Sequence, residues 1–309
     1  MRILELPAIR QSLAYSDIIP LMRDALIAQS RGECETPMPM HLDIAAGQAE
    51  VHMKSSYRRG GRYFALKVAS TFPSNLARGL PTGNGMMLLA SAETGEPVAL
   101  LADSGHLTDV RTAAVAAMVA RELGRNDREM GIVGTGVQAR LQAQMHAAVL
   151  PLAEIVIWGR NPDRAAECRR DLEALLPDVK VQITGSAARI AYHCRLIVTC
   201  TASRAPLLLA NDVHPGTHIS AVGSDGSGKQ ELDPAILSSA ALLLADSRRQ
   251  CAKLGELQHA PGELDRAREI GVFCLDPRPI APDAITVCDF TGLGVEDLYI
   301  AEYCYQRSL

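Results

Sequence analysis

Six residues, Gly134-Thr135-Gly136-Val137-Gln138-Ala139, constrain this 309-residue chain more than any others. They read G-x-G-x-x-A, follow the short apolar run EMGIVG (129–134) and open the helical pattern VQARLQAQMHAAVL (137–150). In a dinucleotide site the first glycine makes a tight turn and the second lets the backbone approach a pyrophosphate. The small third residue lets the helix pack close to the strand. The helix start then turns unbonded N–H groups toward the negative charge. An ordinary tight strand–helix turn can carry the same letters, so the flanks decide.

The flanks repeat the pattern. EIVIW (154–158), KVQIT (180–184), RLIVTCT (195–201), THISAVG (217–223) and ALLLAD (241–246) read as strands, and RAAECRRDLEALLP (164–177) as a helix. Such alternation predicts βαβ units and a doubly wound parallel sheet. Before Leu107 the chain reads differently. A helix is predicted over 16–30, with Pro20 in its first turn. Strands are predicted around 50–55, 62–70, 85–92 and 97–102, the last two joined as a hairpin through AETGEP (92–97). TDVRTAAVAAMVARELGR then forms a helix ending at Gly124. The expected architecture is therefore an α/β unit preceded by a mostly antiparallel α+β unit.

Composition excludes several classes. With 48% hydrophobic and 21% charged residues the chain is globular rather than disordered. A net charge of -4 and 4% aromatics give neither the basic field nor the stacking platforms of a nucleic-acid binder. No apolar run is long enough to span a membrane. Glu5 and Arg10 interrupt the N-terminal apolar stretch, which lacks the core of a secretory signal. The eight cysteines form no CxxC pair and read as buried thiols in a reducing cytoplasm. The histidines show no HExxH spacing, and none is assigned to a metal.

The end of the second α/β strand reads Trp158-Gly159-Arg160-Asn161-Pro162-Asp163-Arg164. The acid that usually holds the ribose of NAD is absent from the strand end, and Arg160 and Arg164 suit the 2′-phosphate of NADP. Gly223 to Gln230 nearly spells a P-loop. Gln230 lacks the magnesium-binding hydroxyl, however, and Asp225 would repel phosphate inside the cradle. Asp225 fits a catalytic carboxylate better, in a loop at the carboxyl end of a strand. Lys67, in YFALKVAS, and Arg111, in HLTDVRTAA, lie in apolar patterns. They are either snorkelling surface charges or a clamp for an anionic carboxylate.

Taken in order, KVASTFPSN (67–75), ASAETGEPVALLADSGHLTDVRTAA (90–114), GIVGTGVQA (131–139), VTCTASRAP (198–206), HISAVGSDGSGKQELDP (218–234) and DFTGLGVEDL (289–298) resemble the ornithine cyclodeaminase/mu-crystallin family over nearly the whole chain. The resemblance implies a homodimer. A Rossmann domain, residues 113–288, would be inserted in a substrate-binding and dimerisation domain of residues 1–112 plus 289–309. It implies an NAD(P)-dependent oxidoreductase acting on a small amino or cyclic imino acid in the cytoplasm. Ornithine cyclodeaminase proper, a lyase that recycles its NAD, and a non-catalytic NADP-regulated binding protein are the alternatives. Lys67 and Arg111 would bind the substrate carboxylate, with Asp225 and Lys67 catalytic. The cofactor, NADP or NAD, would touch Gly134, Thr135, Gly136, Val137, Gln138, Ala139, Arg160, Asn161, Arg164, Thr199 and Thr201. One departure stands out. Many members carry an Arg in a Pro-rich stretch that here reads Thr36-Pro37-Met38-Pro39-Met40-His41-Leu42-Asp43, which points to a different or smaller substrate than ornithine.

Overall fold

A computed structural model describes residues 1–44 and 49–309, which divide into two compact units. One comprises Met1–Thr112 with Leu293–Leu309, the other Ala113–Gly292.

The first unit opens with β1 (Arg2–Glu5), α1 (Leu6–Ser12) and α2 (Tyr15–Ser30). The strands β2 (Cys34–Glu35), β3 (Met40–Ile44), β4 (Ala49–Arg58), β5 (Tyr63–Thr71), β6 (Gly83–Ser91) and β7 (Pro97–Ala102) follow. They form one sheet in the order β1-β7-β6-β5-β4-β2, with β3 also pairing with β4. Every pairing is antiparallel except that of β1 with β7. The hairpin expected across 92–97 is present. Pro20 departs from expectation. Ala14 provides the extended entry, so α2 starts at Tyr15 and Pro20 lies inside the helix. There it removes one backbone donor. The helix persists because its apolar face, with Ile18, Ile19, Met22 and Leu26, is buried.

Alternation along β5 separates the two sheet faces. Ala65 and Lys67 are buried, while Leu66 and Val68 are exposed. The buried face is covered by the helix Gly294–Arg307. A side chain at Gly294 would collide with the backbone of Ser55, so this helix starts with a glycine where it meets β4. On the other face the register aligns Met40, Met53, Val68 and Met86 across four strands.

The second unit begins within α3 (His106–Glu122) and continues with β8 (Glu129–Val133), α4 (Val137–Ala147), β9 (Glu154–Trp158), α5 (Pro162–Leu175), β10 (Lys180–Ile183), α6 (Ala187–His193) and β11 (Leu196–Thr199). After β12 (Arg204–Leu208) come β13 (His218–Ala221), β14 (Gln230–Leu232), α7 (Pro234–Ser239), β15 (Leu242–Ala245), α8 (Arg248–Leu254), β16 (Arg268–Glu269), α9 (Ile270–Leu275) and β17 (Thr286–Asp289). The main sheet is parallel, in the order β10-β9-β8-β11-β13-β17-β15-β16. The chain runs outward from β8 through β9 to β10, then restarts on the other side at β11. This makes β8/β11 the switch point at which doubly wound sheets bind ligands. Strand β17 lies between β13 and β15 although its four residues, TVCD, give little pattern to read. Because it runs to Asp289, the chain returns to the first unit at Leu293, later than the expected 289. The returning helix is α10 (Gly294–Arg307).

Among the described residues no helix is long and apolar enough to cross a membrane. All eight cysteines are free thiols, and only Cys200 is not fully buried.

Candidate active site

The glycine turn after β8 has the geometry its letters imply. Gly134 has φ +136°, and a side chain there would meet the sulfur and carbonyl of Cys200 at 2.7 and 2.8 Å. A β-carbon on Gly136 would meet nothing within 4 Å. Gly136 is also the N-cap of α4, and no side chain caps that helix start. Open space beside uncapped N–H groups is what a pyrophosphate requires. Ala139 is fully buried, giving the close helix–strand contact. Arg140 braces the turn, donating to the carbonyls of Thr135 and Gly136 at 2.8 and 3.1 Å and pairing with Asp171. The residues present therefore fit a dinucleotide.

The other expected cofactor positions vary in their engagement. Arg160 and Arg164 are exposed where β9 passes into α5. The Asn161 side chain caps α5, accepting from the N–H groups of Asp163 and Arg164 at 2.9 and 3.1 Å. Thr199 and Thr201 each donate a hydroxyl to Glu231 at 2.7 Å.

Glu231 belongs to a set of buried carboxylates under the loops at the sheet's carboxyl edge. It also accepts the N–H groups of Thr201 and Gly223 at 2.6 and 2.9 Å. Glu256 accepts the N–H groups of Glu231 and Leu232 at 2.7 and 3.2 Å. Asp289 accepts those of Glu256 and Leu257, both at 2.9 Å. Asp246 takes those of Thr291 and Gly292. Burial pushes Glu231 and Asp289 up to about 7 and Glu256 to about 9, against the lowering effect of the backbone donors. Glu231, Glu256 and Asp289 were not singled out in the sequence. For Asp289, as for Asp246, the signal is an acid closing a short strand, as in TVCD and ALLLAD, whereas Glu231 and Glu256 follow no apolar run.

Asp225 stands in the loop after β13, half-exposed, with its carboxylate 2.7 Å from Lys229 Nζ. The loop is pinned from below. Gln258 donates to the carbonyls of Gly226 and Lys229, and His259 and the Ser224 hydroxyl also bond the Lys229 carbonyl. A side chain on Gly223 would collide with the backbone of Thr201. The P-loop alternative fails here, because Gln230 opens a strand instead of the helix a P-loop needs, and Lys229 is paired with Asp225.

In the first unit, Lys67 and Arg111 are both buried and meet around α10. Lys67 Nζ lies 2.8 Å from the Asp297 carboxylate. Arg111 Nε donates to the same carboxylate at 3.2 Å, and Nη1 to Glu296 at 2.9 Å. Burial pulls Lys67 down to about 7, helped by Arg111 and Lys54 and opposed by Asp297. Burial works to raise the Asp297 carboxyl, yet Lys67 and Arg111 outweigh it and hold Asp297 low. Asp103, also buried, caps α3 by accepting the Leu107 N–H at 2.7 Å. Glu296 and Asp297 were missed as functional residues. Two adjacent acids inside the apolar pattern GVEDLYIA were the available sign.

The profile of the ornithine cyclodeaminase/mu-crystallin family matches residues 2–309. A Sinorhizobium fredii protein named as an uncharacterized cyclodeaminase is 35% identical over 324 residues, spanning 100% of this chain and 96% of its own. The alanine dehydrogenase of Archaeoglobus fulgidus is 30% identical over 305 residues, spanning 96% of this chain and 92% of its own. A solved archaeal alanine dehydrogenase dimer with bound NAD is 27% identical, with a TM-score of 0.91 over 100% of this chain and 96% of that one.

Proposed function

The chain belongs to the ornithine cyclodeaminase/mu-crystallin family, and from that premise we propose that it is an NAD(P)-dependent oxidoreductase acting at the α-carbon of an amino acid or a cyclic imino acid. The observation that carries this reading is the buried cation pair Lys67 and Arg111. A dinucleotide turn serves many substrates, but two buried cations side by side, both oriented by the acids of α10, suit recognition of an α-carboxylate.

Bound NAD(P) supplies the hydride acceptor or donor, held over Gly134–Ala139. Arg111 and Lys67 hold the substrate carboxylate, and Asp297 and Glu296 fix the orientation of both cations. Orienting the α-carbon this way removes the entropic part of the barrier. Asp225 takes a proton from the substrate nitrogen as the C–N double bond forms, and returns it in the reverse direction. Its half-exposed carboxylate exchanges that proton readily with water. Arg160 and Arg164 favour the 2′-phosphate of NADP. The buried free thiols suit a reducing cytoplasm. The apolar row of Met40, Met53, Val68 and Met86 supports a homodimer, as does the archaeal relative solved as a dimer.

The relative named as a cyclodeaminase supports a second reading, in which the substrate's own distal amine displaces ammonia and the redox steps cancel. A panel of amino and imino acids, followed by nicotinamide absorbance with ammonia measured in parallel, decides between them. Net change in reduced cofactor marks an oxidoreductase, and ammonia without it marks a cyclodeaminase. In either case Asp225→Asn should fold and bind cofactor while turnover falls by roughly 100-fold or more. Near-normal turnover in that variant removes Asp225 from the mechanism.

A further inference from the structure

Four side chains able to bind a metal crowd the β3–β4 pair, on the sheet face that also carries Lys67, which the register sets opposite Lys54. The register sets His41 opposite His52 and Asp43 opposite Glu50. Residues two apart on a strand share a face, so two imidazoles and two carboxylates stand side by side.

Their hydrogen bonds leave one ring nitrogen, His52 Nε2, without a partner. His41 Nε2 lies 3.0 Å from Asp43 Oδ1 and therefore carries the hydrogen it donates. His41 Nδ1 then bears a lone pair, which faces His52 Nδ1 at 3.5 Å. His52 Nε2 is buried without a hydrogen-bond partner, 3.6 Å from the Glu50 carboxylate. If neutral His52 carries its hydrogen on Nδ1, the lone pair on Nε2 faces a carboxylate. If the hydrogen sits on Nε2, two imidazole lone pairs face each other. Neither neutral tautomer satisfies both sides of the ring.

We propose that His41, His52 and Glu50 bind a divalent metal ion of the zinc type. One ligand atom from each lies within 4.8 Å of the others. The 3.5 Å between the two Nδ1 atoms approaches the edge of a zinc tetrahedron, about 3.4 Å for metal–nitrogen bonds of about 2.0–2.1 Å. Two imidazoles with a carboxylate select zinc over calcium or magnesium, which prefer oxygen alone. Asp43 acts from outside the ligand set. It orients the His41 ring and fixes its tautomer, as carboxylates behind metal-bound histidines do. The His52 side chain is only 12% exposed, which holds its ring in place, whereas the 34% exposure of His41 leaves a route for the ion and for a water as fourth ligand. The carboxylates of Asp43 and Glu50 offset the ion's charge against Lys54, the next residue on this face of β4.

The test is titration of the full-length protein with zinc chloride against a chromophoric chelator, repeated with cobalt(II) for its absorption spectrum. One zinc per chain is expected, with a cobalt spectrum free of thiolate charge transfer, which excludes the cysteines. His41→Gln and His52→Ala should each weaken binding by more than about 100-fold, and Asp43→Asn by about 10–100-fold, as for other partners behind the ligands. Thermal melts confirm that the variants fold, and His41→Gln, at the more exposed position, keeps the test usable if His52→Ala does not. Absence of stoichiometric zinc, binding that survives His41→Gln, or a thiolate band would each overturn the proposal. A wild-type chain that binds no zinc and holds His52 as an imidazolium by NMR would show that a proton fills the place instead.

Discussion

Lys67 and Asp297 stand 230 positions apart in the chain and meet at 2.8 Å, both nearly excluded from water. Arg111 shares the same carboxylate. A buried ion of this kind persists only when paired, and removing one partner of such a pair costs about 3–5 kcal/mol. The cations proposed to hold substrate are thus positioned by α10, not by the strand and helix that carry them.

The depression of Lys67 to about 7 has a kinetic consequence. The protonated amine is the form that attracts a carboxylate, so kcat/KM for an amino acid should fall as pH rises through about 7. Lys67→Arg keeps its charge across that range and should move this alkaline limb upward. A limb unchanged in Lys67→Arg would assign it to another group.

The open space at Gly136 should be filled by cofactor. Gly136→Val places methyl groups where the pyrophosphate belongs, and binding of NAD(P)H, read by nicotinamide fluorescence, should be lost while the melting temperature changes little. Undiminished affinity would remove the turn from the cofactor site.

Arg160 and Arg164 are exposed at the end of β9. Removing a charge-assisted hydrogen bond costs roughly 1.5–3 kcal/mol, so Arg160→Ala or Arg164→Ala should weaken NADPH by about 10-fold or more and NADH far less. Equal losses for both cofactors, or tighter NADH binding in the unaltered chain, would contradict the NADP preference.

Glu256 is held neutral by burial, with its carboxyl raised to about 9. A raised acid binds its proton more tightly in the folded state. Its stabilising contribution is complete below the ordinary carboxylate range and is lost as pH rises toward about 9. Glu256→Gln cannot ionise. Its stability relative to the unaltered chain should therefore climb between about pH 5 and 9, by at most about 1.4 kcal/mol per pH unit. The slope is the readout, because the lost hydrogen-bonding symmetry adds only a constant offset. A flat difference across that range would show that Glu256 is ionised in the folded protein.

Much of the fold was legible because β8, β9, β11, β13 and β15 are short apolar runs, and their alternation with helices identifies a parallel sheet. Strand β17 was not legible because Thr286-Val287-Cys288-Asp289 offers only two clearly apolar residues. Strand β3 was missed although Met40-His41-Leu42-Asp43-Ile44 alternates apolar and polar residues, because this short run adjoins the prolines Pro37 and Pro39. Within the candidate site the glycine turn was readable, since local backbone geometry demands those residues. The partners of Lys67 and Arg111 were not, because an acid in a sequence does not reveal which distant cation it will neutralise. The His41–His52 pair depends on cross-strand register, to which a search for helical spacings such as HExxH is blind.

The return of α10 to the first unit also sets an order of events during synthesis. Residues 1–112 leave the ribosome without Glu296 and Asp297, the acids of α10 that pair with Lys67 and Arg111, and must wait for all of Ala113–Gly292 before these arrive. At ~5–20 residues per second that interval is on the order of ten to thirty seconds. The contiguous second unit can fold within it, while the first remains an open sheet with two charges turned toward its unfinished face. A released chain truncated after Gly292 should therefore protect β8 and β13 from proteolysis but leave β5 open to cleavage.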